Sequence, residues 1–369
     1  MKKLAIIGAS YLQLPLVKKA NEMGIEIHCF AWEDGAVCKD IADYFYPVSI
    51  LNYQEIFEVC KKIKIDGITT IATDMAVPTI CYVAENLNLV TNTSKTGLIA
   101  TNKGLMRQAF LLNNCNSPKF NIYQKQTEIY NNFNFPVIVK PVDRSGSRGI
   151  SKIEKKSDLE NAIKSAIKES FSEQAIVEEY IEGREVSVET ISWKGKHYIL
   201  AITDKITTES PNFVELAHHQ PSNLSIEIQN RIKEQTILAL NALEIQNGAS
   251  HSEFKINNKD EVYVIEVGAR MGGDFIGSHL VELSTGYDFL KATINVSLNQ
   301  FEEPVIKENL FSGVYFLCEE TKNLLPYFKK KNDFEIEKDV QNHELKKITN
   351  SNDRSGYLIY QSSKKIELL

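Results

Sequence analysis

The chain has 369 residues, of which 43% are hydrophobic and 24% charged, and its formal net charge is -6. This length allows two or three substantial cores, and the composition excludes disordered and fibrous classes. Lys and Arg residues are scattered without a sustained run. That pattern argues against a nucleic-acid or anionic-membrane partner and favours small-molecule ligands.

The six cysteines form no Cys-x-x-Cys pair and show no zinc-site or disulfide spacing. They are therefore predicted to be reduced thiols of a cytoplasmic protein. No apolar stretch approaches the ~18 residues of a membrane span. Polar residues from Gln13 to Lys19 interrupt the apolar N-terminus, which favours a strand, a turn and a helix over a signal peptide.

The first ninety residues alternate the signals of buried strands and amphipathic helices. Strands are predicted at Leu4 to Gly8, Glu26 to Phe30 and Gly67 to Ala72, and helices at Leu14 to Met23, Tyr53 to Lys62 and Val77 to Asn86. Such a series predicts an α/β domain with a parallel sheet. The turn after the first strand does not match a dinucleotide fingerprint, because Ser10 and Gln13 stand where glycines are needed.

Beyond residue 93 a polar linker enters a helix, and mixed α and β signals follow. The predicted elements are a strand-loop-strand unit over Phe135 to Ile153, a helix over Ser157 to Ser170 with Ser157 as N-cap, strands from Ala175 to Ile202, a long polar loop over Asp204 to Leu224, a helix over Ile226 to Leu243 and a hairpin of Ala249 to Ile256 with Glu261 to Val267. The last seventy residues predict a small subdomain with short strands, among them Gly313 to Cys318 and Gly356 to Tyr360.

The segment from Lys140 to Gly149 carries the clearest chemical signal. Lys140 ends an apolar strand, and a basic Gly/Ser loop follows, with Ser145, Gly146, Ser147 and Gly149. Backbone N–H groups of such a loop can close over phosphate oxygens while the lysine supplies a point charge. Unlike a P-loop it lies between two strands. It predicts a nucleoside triphosphate, with Arg144 and Arg148 either contacting phosphate or facing solvent.

Carboxylates dominate the segment that follows, in Glu178-Glu179-Tyr180-Ile181 and as far as Glu185. Extended backbone can offer a carbonyl and an N–H to an adenine edge, and a carboxylate can accept two ribose hydroxyls. The alternative is an exposed acidic hairpin.

The predicted hairpin carries Glu253 and Glu266. The cross-strand partner of Glu253 is either Val264 or Glu266, and in both cases the two carboxylates share one face. Facing carboxylates repel unless a cation lies between them, and Mg²⁺ takes one or two protein carboxylates together with phosphate oxygens. The alternative is a solvated strand face, which the apolar neighbours of Glu266 disfavour.

Several further residues are candidates with open alternatives. Arg270, followed by Gly272 and Gly273, can clamp a carboxylate or phosphate, or can be a surface arginine in a tight turn. His251 can donate to a substrate or be satisfied structurally. Glu215, His218 and the adjacent His219 fall in the long polar segment, where they either line a lid over a second substrate or are exposed. Lys103 begins a predicted helix and is either a ligand contact or solvated.

Taken together, the order of Lys103, Lys140, the glycine loop, Glu178 to Glu185, Glu253, Glu266 and Arg270 resembles the ATP-grasp superfamily over nearly the whole chain. The resemblance implies an α/β pre-ATP-grasp domain over 1–93, a grasp domain over 94–296 made of two α+β subdomains (about 94–175 and 176–296), and a β-rich C-terminal subdomain over 297–369. The chain resembles carboxylate–amine ligases such as L-amino-acid ligases and D-alanine–D-alanine ligase, and also the carbamoyl-phosphate synthetase large subunit.

The resemblance also implies roles. Lys103 and Lys140 contact ATP phosphates, Ser145 to Gly149 close over them, the backbone of Glu178 to Ile181 holds adenine and Glu185 binds the ribose. Glu253 and Glu266 bind Mg²⁺, for which Mn²⁺ can substitute, and Arg270 steadies the γ-phosphate or an acyl intermediate. Many members carry Asn where this chain has Gly268, so one metal ion is implied more firmly than two. Dimers are common among similar proteins.

Three functions remain open at this point. The first is an ADP-forming ligase that phosphorylates a carboxylate and couples it to an amine, such as an amino acid. The second is a purine-pathway enzyme acting on a ribonucleotide, which the turn after the first strand matches poorly. The third is an ATP-binding module without catalysis, which the presence of both lysines, both glutamates and Arg270 disfavours.

Overall fold

The N-terminal domain is a parallel sheet flanked by helices, as predicted. The computed structural model describes residues 1–125, 133–144, 148–208, 210, 212–342 and 344–369. The first elements are β1 (Lys3–Ile7), α1 (Leu14–Glu22), β2 (Glu26–Phe30), β3 (Tyr44–Tyr46), α2 (Tyr53–Ile63), β4 (Gly67–Thr69) and α3 (Val77–Leu87). The strands are ordered β3-β2-β1-β4. Because helices cover both faces, the strands are apolar on both faces.

The side chain of Gln13 fills the turn that follows β1. Its side-chain oxygen accepts hydrogen bonds from the backbone N–H and the hydroxyl of Ser10, at 3.0 and 2.7 Å. Its amide nitrogen donates to the Ile71 carbonyl at 2.7 Å. The turn is thus filled by the protein's own polar groups.

A second, smaller unit has an antiparallel sheet with a helix packed on it, and two further helices precede that sheet in the chain. Its elements are α4 (Ser94–Thr101), α5 (Lys103–Leu112), β5 (Phe120–Gln124), β6 (Val137–Pro141), β7 (Ser151–Ile153), α6 (Lys156–Glu169) and β8 (Gln174–Glu179), with the sheet order β5-β8-β6-β7. The prediction that Ser157 caps α6 is wrong, because Lys155 is the N-cap residue and Ser157 lies inside the first turn. There its hydroxyl donates to the adjacent Asp158.

The third unit is a sheet of eight antiparallel strands that continues through the C-terminal segment. Its elements are β9 (Arg184–Trp193), β10 (Lys196–Thr207), β11 (Glu215–Gln220), α7 (Ile226–Ala242), β12 (Gly248–Ile256), β13 (Val262–Gly268), α8 (Val281–Thr285), α9 (Phe289–Ser297), β14 (Phe311–Leu317), α10 (Leu325–Lys329), β15 (Glu335–Val340) and β16 (Gly356–Ser362). The strands are ordered β13-β12-β9-β10-β11-β14-β16-β15. Helix α7 covers one face of this sheet with apolar side chains.

The prediction of a long loop over Asp204 to Leu224 is wrong, because β10 runs to Thr207 and β11 lies within this segment. The strand is polar in sequence but central in the sheet, between β10 and β14. Two of its polar side chains find hydrogen-bond partners inside the protein. Gln220 donates to the Thr203 hydroxyl at 2.8 Å, and His219 Nδ1 lies 2.9 Å from the Tyr360 hydroxyl. Internal pairing lets a polar strand be buried.

All six cysteines are buried, and none of them forms a disulfide. Within the described parts of the chain, no helix is both long and apolar enough to cross a membrane.

Candidate active site

A cavity of about 410 Å³ lies where the three units meet. Its floor is one face of the eight-stranded sheet, and β6, β8 and the segment after β8 line one wall. Residues 72–74 of the N-terminal domain and residues 350–351 of the C-terminal segment complete the lining. Side chains distant in sequence therefore converge on one volume.

The polar face of the large sheet is organised in rows that cross the strands. One row is Lys255, Glu185, Lys205 and His218, and the next is Glu266, Glu253, Ser187 and Thr203. Intervening residues such as Val186, Val188 and Phe254 point the other way and pack in the core with α7. The period of two in a strand thus separates an ionic face from an apolar one.

Glu253 and Glu266 are direct cross-strand partners. Of the two predicted pairings this is the second, and it arises because a bulge after Glu253 shifts Phe254 to pair with Val264. Each carboxylate forms its ion pairs through Oε1: Glu253 at 2.8 Å from Lys205 Nζ, and Glu266 at 2.8 Å from Lys103 Nζ. The described residues place no hydrogen bond or ion pair on Oε2 of either glutamate.

This oxygen-only donor pair fits Mg²⁺, which prefers one or two carboxylates plus phosphate oxygens and water. Across the described ranges, no group of three or more His, Cys, Asp or Glu side chains is arranged to hold a metal ion.

Lys205 connects three carboxylates and was not predicted as a site residue. Its ammonium group lies 2.9 Å from Glu185, 2.8 Å from Glu253 and 3.5 Å from Glu215, with only 3% of the side chain exposed. Burial alone would lower the pKa of Lys205, but the three carboxylates outweigh it and raise that pKa well above its ordinary value. The lysine is therefore a fixed positive charge in the floor.

Lys255 completes the pairing of Glu185, at 3.0 Å. Burial would raise the pKa of the Glu185 carboxyl, but Lys205 and Lys255 outweigh burial and lower it. Glu185 is therefore an ionised acceptor at the cavity wall, with about one fifth of its side chain exposed.

His251 bridges two carboxylates. Its Nδ1 donates to the fully buried Glu189, and its Nε2 lies 3.4 Å from Glu253 Oε1. Burial would lower the pKa of His251, but Glu189 and Glu253 outweigh it and raise the pKa to about 9. The ring is therefore charged at neutral pH and fixed between Glu189 and Glu253.

Lys140 forms a buried ion pair with Glu178. Lys140 Nζ lies 2.7 Å from Glu178 Oε2, and Arg107 Nε lies 2.7 Å from Oε1 without the alignment of a hydrogen bond. Burial would raise the pKa of the Glu178 carboxyl, but Arg107 and Lys140 outweigh it and lower it. The Glu178 side chain is thus a buried counter-ion of Lys140 and Arg107. The sequence predicted a role only for the Glu178 backbone.

Lys103 is buried rather than solvated. Its ammonium group donates to Glu266 and to the Arg144 carbonyl, both at 2.8 Å. Arg144 turns its guanidinium over the Phe171 ring, 3.7 Å from the ring centroid, and donates to the Glu169 carbonyl. Arg144 and the more exposed Arg148 both line the cavity. Ser145, Gly146 and Ser147 lie outside the described residues.

The segment after β8 also reaches the cavity, which Glu179, Tyr180 and Ile181 line. The chain then turns sharply at Gly183, where φ is +147° and any Cβ would overlap the Ile256 carbonyl. Gly149, at the end of the basic loop, has φ of +71°.

Arg270 forms a two-pronged ion pair with Asp74 of the N-terminal domain. Nε donates to Oδ1 at 2.8 Å and one terminal nitrogen donates to Oδ2 at 2.7 Å. Burial would lower the pKa of Arg270, but Asp74 outweighs it and raises that pKa further. Asp74 was not predicted, because it lies 196 residues before its partner.

One end of the cavity carries a cluster around Arg354. This arginine lies 2.8 Å from Asp274 and 3.1 Å from Glu215, and its guanidinium lies over the Phe316 ring. His218 lies beneath, with its Nε2 3.9 Å from Asp274 and neither ring nitrogen in a hydrogen bond. Burial lowers the pKa of His218, so the ring is neutral at pH 7.

The paired glycines permit close packing at the cavity edge. The Gly272 N–H donates to Glu189 at 3.0 Å, and a Cβ on Gly272 would overlap that carboxylate and lie 2.7 Å from His251 Nδ1. A Cβ on Gly273 would meet Ala72 at an ordinary 3.4 Å. Only Gly272 is therefore required by space.

The predicted and unpredicted residues thus form one assembly. The cavity brings together Lys103, Lys140, Glu178 to Ile181, Glu185, Glu215, His218, His251, Glu253, Glu266, Arg270 and Gly273. Lys205, Asp74, Asp274, Arg354, Arg107 and Glu189 were missed. Glu189 could have been found, because it lies four residues after Glu185 on the same strand face.

Part of the chain matches a known protein family and several known proteins. Residues 133–278 match the protein family described as an ATP-grasp domain. The D-alanine–D-alanine ligase of Flavobacterium johnsoniae is 33% identical over 147 residues, which cover 38% of this chain and 44% of that protein. The alanine–anticapsin ligase of Bacillus subtilis is 25% identical over 272 residues, covering 64% and 57%. The chain spans about half the length of the curated relatives it matches.

Solved structures share the fold over nearly the whole chain. L-amino acid ligase from Bacillus licheniformis is 22% identical with a TM-score of 0.85, covering 99% of this chain and 94% of that one. Phosphoribosylglycinamide synthetase from Anaerococcus prevotii is 24% identical with a TM-score of 0.79, covering 98% and 94%. At these identities the likeness establishes the α/β architecture alone.

Proposed function

We propose, from the premise that residues 133–278 belong to the ATP-grasp family, that this chain is an ATP-dependent carboxylate–amine ligase releasing ADP and phosphate. The observation that carries the proposal is the cross-strand pair Glu253 and Glu266, lying in one cavity with Lys103, Lys140 and Arg270. Metal-binding carboxylates beside several fixed cations are what transfer of a phosphoryl group requires.

ATP is proposed to lie between the four-stranded antiparallel sheet and the eight-stranded sheet. Lys103 and Lys140 contact its phosphates, the loop with Ser145, Gly146, Ser147 and Gly149 closes over them, and the backbone of Glu178 to Ile181 meets the adenine. Glu185 accepts hydrogen bonds from the ribose. The support is that Lys103, Lys140, Glu178 to Ile181 and Glu185 line one cavity and that both lysines are buried.

The charge balance of the cavity favours a metal–nucleotide complex over the bare nucleotide. Its lining carries seven Lys and Arg side chains and the charged His251 against eight acidic side chains, so the cavity is not strongly cationic. A triphosphate carries several negative charges, and Mg²⁺, which Glu253 and Glu266 would hold, would neutralise part of them. Mn²⁺, which accepts the same oxygen ligands, is expected to substitute.

The reaction then needs little covalent help from the protein. A carboxylate oxygen of the acid attacks the γ-phosphorus as the bond to ADP breaks, and an acyl phosphate results. The amine attacks the acyl carbon, loses a proton, and expels phosphate. Arg270 is proposed to hold the negative charge that develops on the phosphoryl and acyl oxygens, because its guanidinium lies at the cavity wall. Closure of the loop would keep water from the acyl phosphate.

The acid and the amine are proposed to bind toward Glu215, His218, His251, Gly272 and Gly273. All three side chains in this set line the cavity. Glu215 pairs with Arg354 and His251 contacts Glu253, so a substrate there would meet both positive and negative side chains. Amino acids, which carry an ammonium and a carboxylate group, match this mixture of charges. The relatives named as ligases of alanine support the same class.

A purine-pathway reaction is the second candidate, because phosphoribosylglycinamide synthetase shares the fold. The turn after β1 counts against it. Purine-pathway relatives resemble one another in a glycine-rich turn there, whereas Gln13 fills this turn with three hydrogen bonds to Ser10 and Ile71.

An ADP-release screen over a matrix of carboxylic acids and amines tests the proposal. Wild-type protein with Mg²⁺-ATP is expected to release ADP only when an acid and an amine are both present, and mass spectrometry should show the amide. Release with a ribonucleotide substrate instead would favour the second candidate. No ADP release with any pair would contradict the ligase function.

A further inference from the structure

Asp74 approaches Arg270 from another domain, and the backbone fixes that approach. Ile71 pairs with Met271 in an isolated parallel bridge, and the Ala72 N–H donates to the Met271 carbonyl at 3.0 Å. Ala72 has φ of +63°, which bends the chain immediately before Asp74. The residue that follows Arg270 is thus tied to the segment that carries Asp74.

The ion pair occupies one edge of the guanidinium and leaves the other. Asp74 accepts from Nε and one terminal nitrogen, while the other terminal nitrogen donates one hydrogen bond of 3.3 Å to the Met271 carbonyl. An arginine has five N–H donors in a rigid plane, so fixing one edge sets the direction of the second. The edge formed by the two terminal nitrogens remains for an anion in the cavity that Arg270 lines.

Gly268 provides the space for this carboxylate. A Cβ on Gly268 would lie 2.5 Å from Asp74 Oδ1, and 3.1 and 3.2 Å from the carbon and Nε of the Arg270 guanidinium. Its φ is not in the left-handed region, so the absence of a side chain matters for space rather than for backbone conformation. Glycine at 268 and aspartate at 74 are therefore complementary.

We infer that Asp74 is a positioning residue for Arg270, directing its free edge at the transferred phosphoryl or acyl group, and that Gly268 is needed to admit the Asp74 carboxylate. The inference rests on the proposed function. Both side chains are largely buried, at 14% and 15% exposure, so solvent does not weaken the pair as it weakens surface pairs. Asp74 acts through Arg270 and holds no metal ion in this account.

The test compares Asp74→Ala, Asp74→Asn, Gly268→Ala and the double variant Asp74→Ala/Gly268→Ala, assayed with the acid and amine found for the wild type. Asp74→Ala is expected to lower kcat about 10²-fold, because small misplacement of a catalytic group is costly. KM for ATP should stay within about twofold, since the lost contact acts in the transition state. Asp74→Asn, which keeps one acceptor, should lie between.

Gly268→Ala should reproduce the kcat loss in the wild type but add less than about twofold to Asp74→Ala, because both changes break the same pair. Asp66→Asn is the matched control. Asp66 forms a 2.7 Å pair with Lys2 in the same domain, away from the cavity, and its variant should keep wild-type kcat. Titration with ADP checks that each variant is folded.

Two results would overturn the inference while the proposed function stands: wild-type kcat in Asp74→Ala and Asp74→Asn, or fully additive losses in the double variant. If Asp74 has only a structural role, its variants should lose thermal stability while kcat and KM stay unchanged in the folded fraction. That result would also contradict the positioning role. A wild type that releases no ADP with any pair overturns the proposed function and this inference with it.

Discussion

Lys205 Nζ lies 2.8 Å from Glu253 Oε1 on the polar face of the eight-stranded sheet. The same ammonium group also contacts Glu185 and Glu215. The floor of the cavity thus holds one cation shared by three carboxylates, one of which is the proposed metal ligand Glu253. The stability and the chemistry of this site are therefore coupled.

Replacing Lys205 is expected to destabilise the protein. Lys205→Met leaves three carboxylates without their shared cation, and breaking a buried ion pair typically costs about 3–5 kcal/mol of unfolding free energy. Urea denaturation measures the change. Lys196→Met is the control, because Lys196 forms a similar 2.7 Å pair with Glu303 on the exposed surface. Equal midpoints for both variants would contradict the described role of Lys205.

Removing one proposed metal ligand is expected to stop turnover. Glu266→Gln keeps the side chain's shape but removes the charge, and ADP formation should fall by about 10²-fold or more, as losses of transition-state charge stabilisation do. Glu261→Gln is the control, since Glu261 is exposed in the turn of the same hairpin. Wild-type turnover in Glu266→Gln would eliminate the metal assignment.

The two adjacent glycines should respond differently to alanine. Gly272→Ala would push against Glu189 and His251 and disturb the charged histidine beside Glu253, so turnover should fall. Gly273→Ala meets only Ala72 at 3.4 Å and should be tolerated. Steady-state kinetics of the two variants provides the comparison. If Gly273→Ala were the more damaging change, the glycines would instead serve close approach of a ligand.

His219 should make the folded state sensitive to acid. Burial, with smaller contributions from Lys365 and His218, lowers its pKa to about 3, against about 6.5 in the unfolded chain. As pH falls from 6.5 toward 3, the unfolded chain binds a proton that the folded state refuses, so stability is lost in that window. By pH 5 the loss from this residue is on the order of 2 kcal/mol.

His219→Gln should therefore lose less stability than the wild type between pH 7 and pH 5, measured by urea denaturation at each pH. Tyr360→Phe is the control, because it removes the 2.9 Å hydrogen bond to His219 without removing a group that titrates in this range. Tyr360→Phe should show the pH dependence of the wild type. Identical pH dependence in His219→Gln would show that another group is responsible.

Local patterns predicted the fold class and most strands, because apolar alternation is a short-range signal. The hairpin is an example. Alternation predicted that Glu253 and Glu266 share one face, but it did not decide whether Glu253 pairs with Glu266 or with Val264, because that depends on a bulge. The polar strand β11 was missed, since its side chains are satisfied by partners such as Thr203 and Tyr360 that no local pattern reveals. The domain boundaries at 93 and 296 remain predictions.

The candidate site shows the same division. Residues that lie in recognisable local contexts, such as Lys140 at a strand end, could be selected from the sequence. Asp74 and Arg354 could not, because each meets its partner only through tertiary packing: Arg270 and Glu215 lie 196 and 139 residues away. Lys205 was hidden by the incorrect loop prediction.

Transfer of oxygen from the acid to the released phosphate tests the central claim most directly. With an acid labelled with ¹⁸O in its carboxylate, the attack on ATP places one labelled oxygen between carbon and phosphorus, and cleavage by the amine leaves it on phosphate. Mass spectrometry of the phosphate is expected to show one ¹⁸O atom for each amide formed. Unlabelled phosphate, formed together with ADP, would contradict activation of the carboxylate as an acyl phosphate.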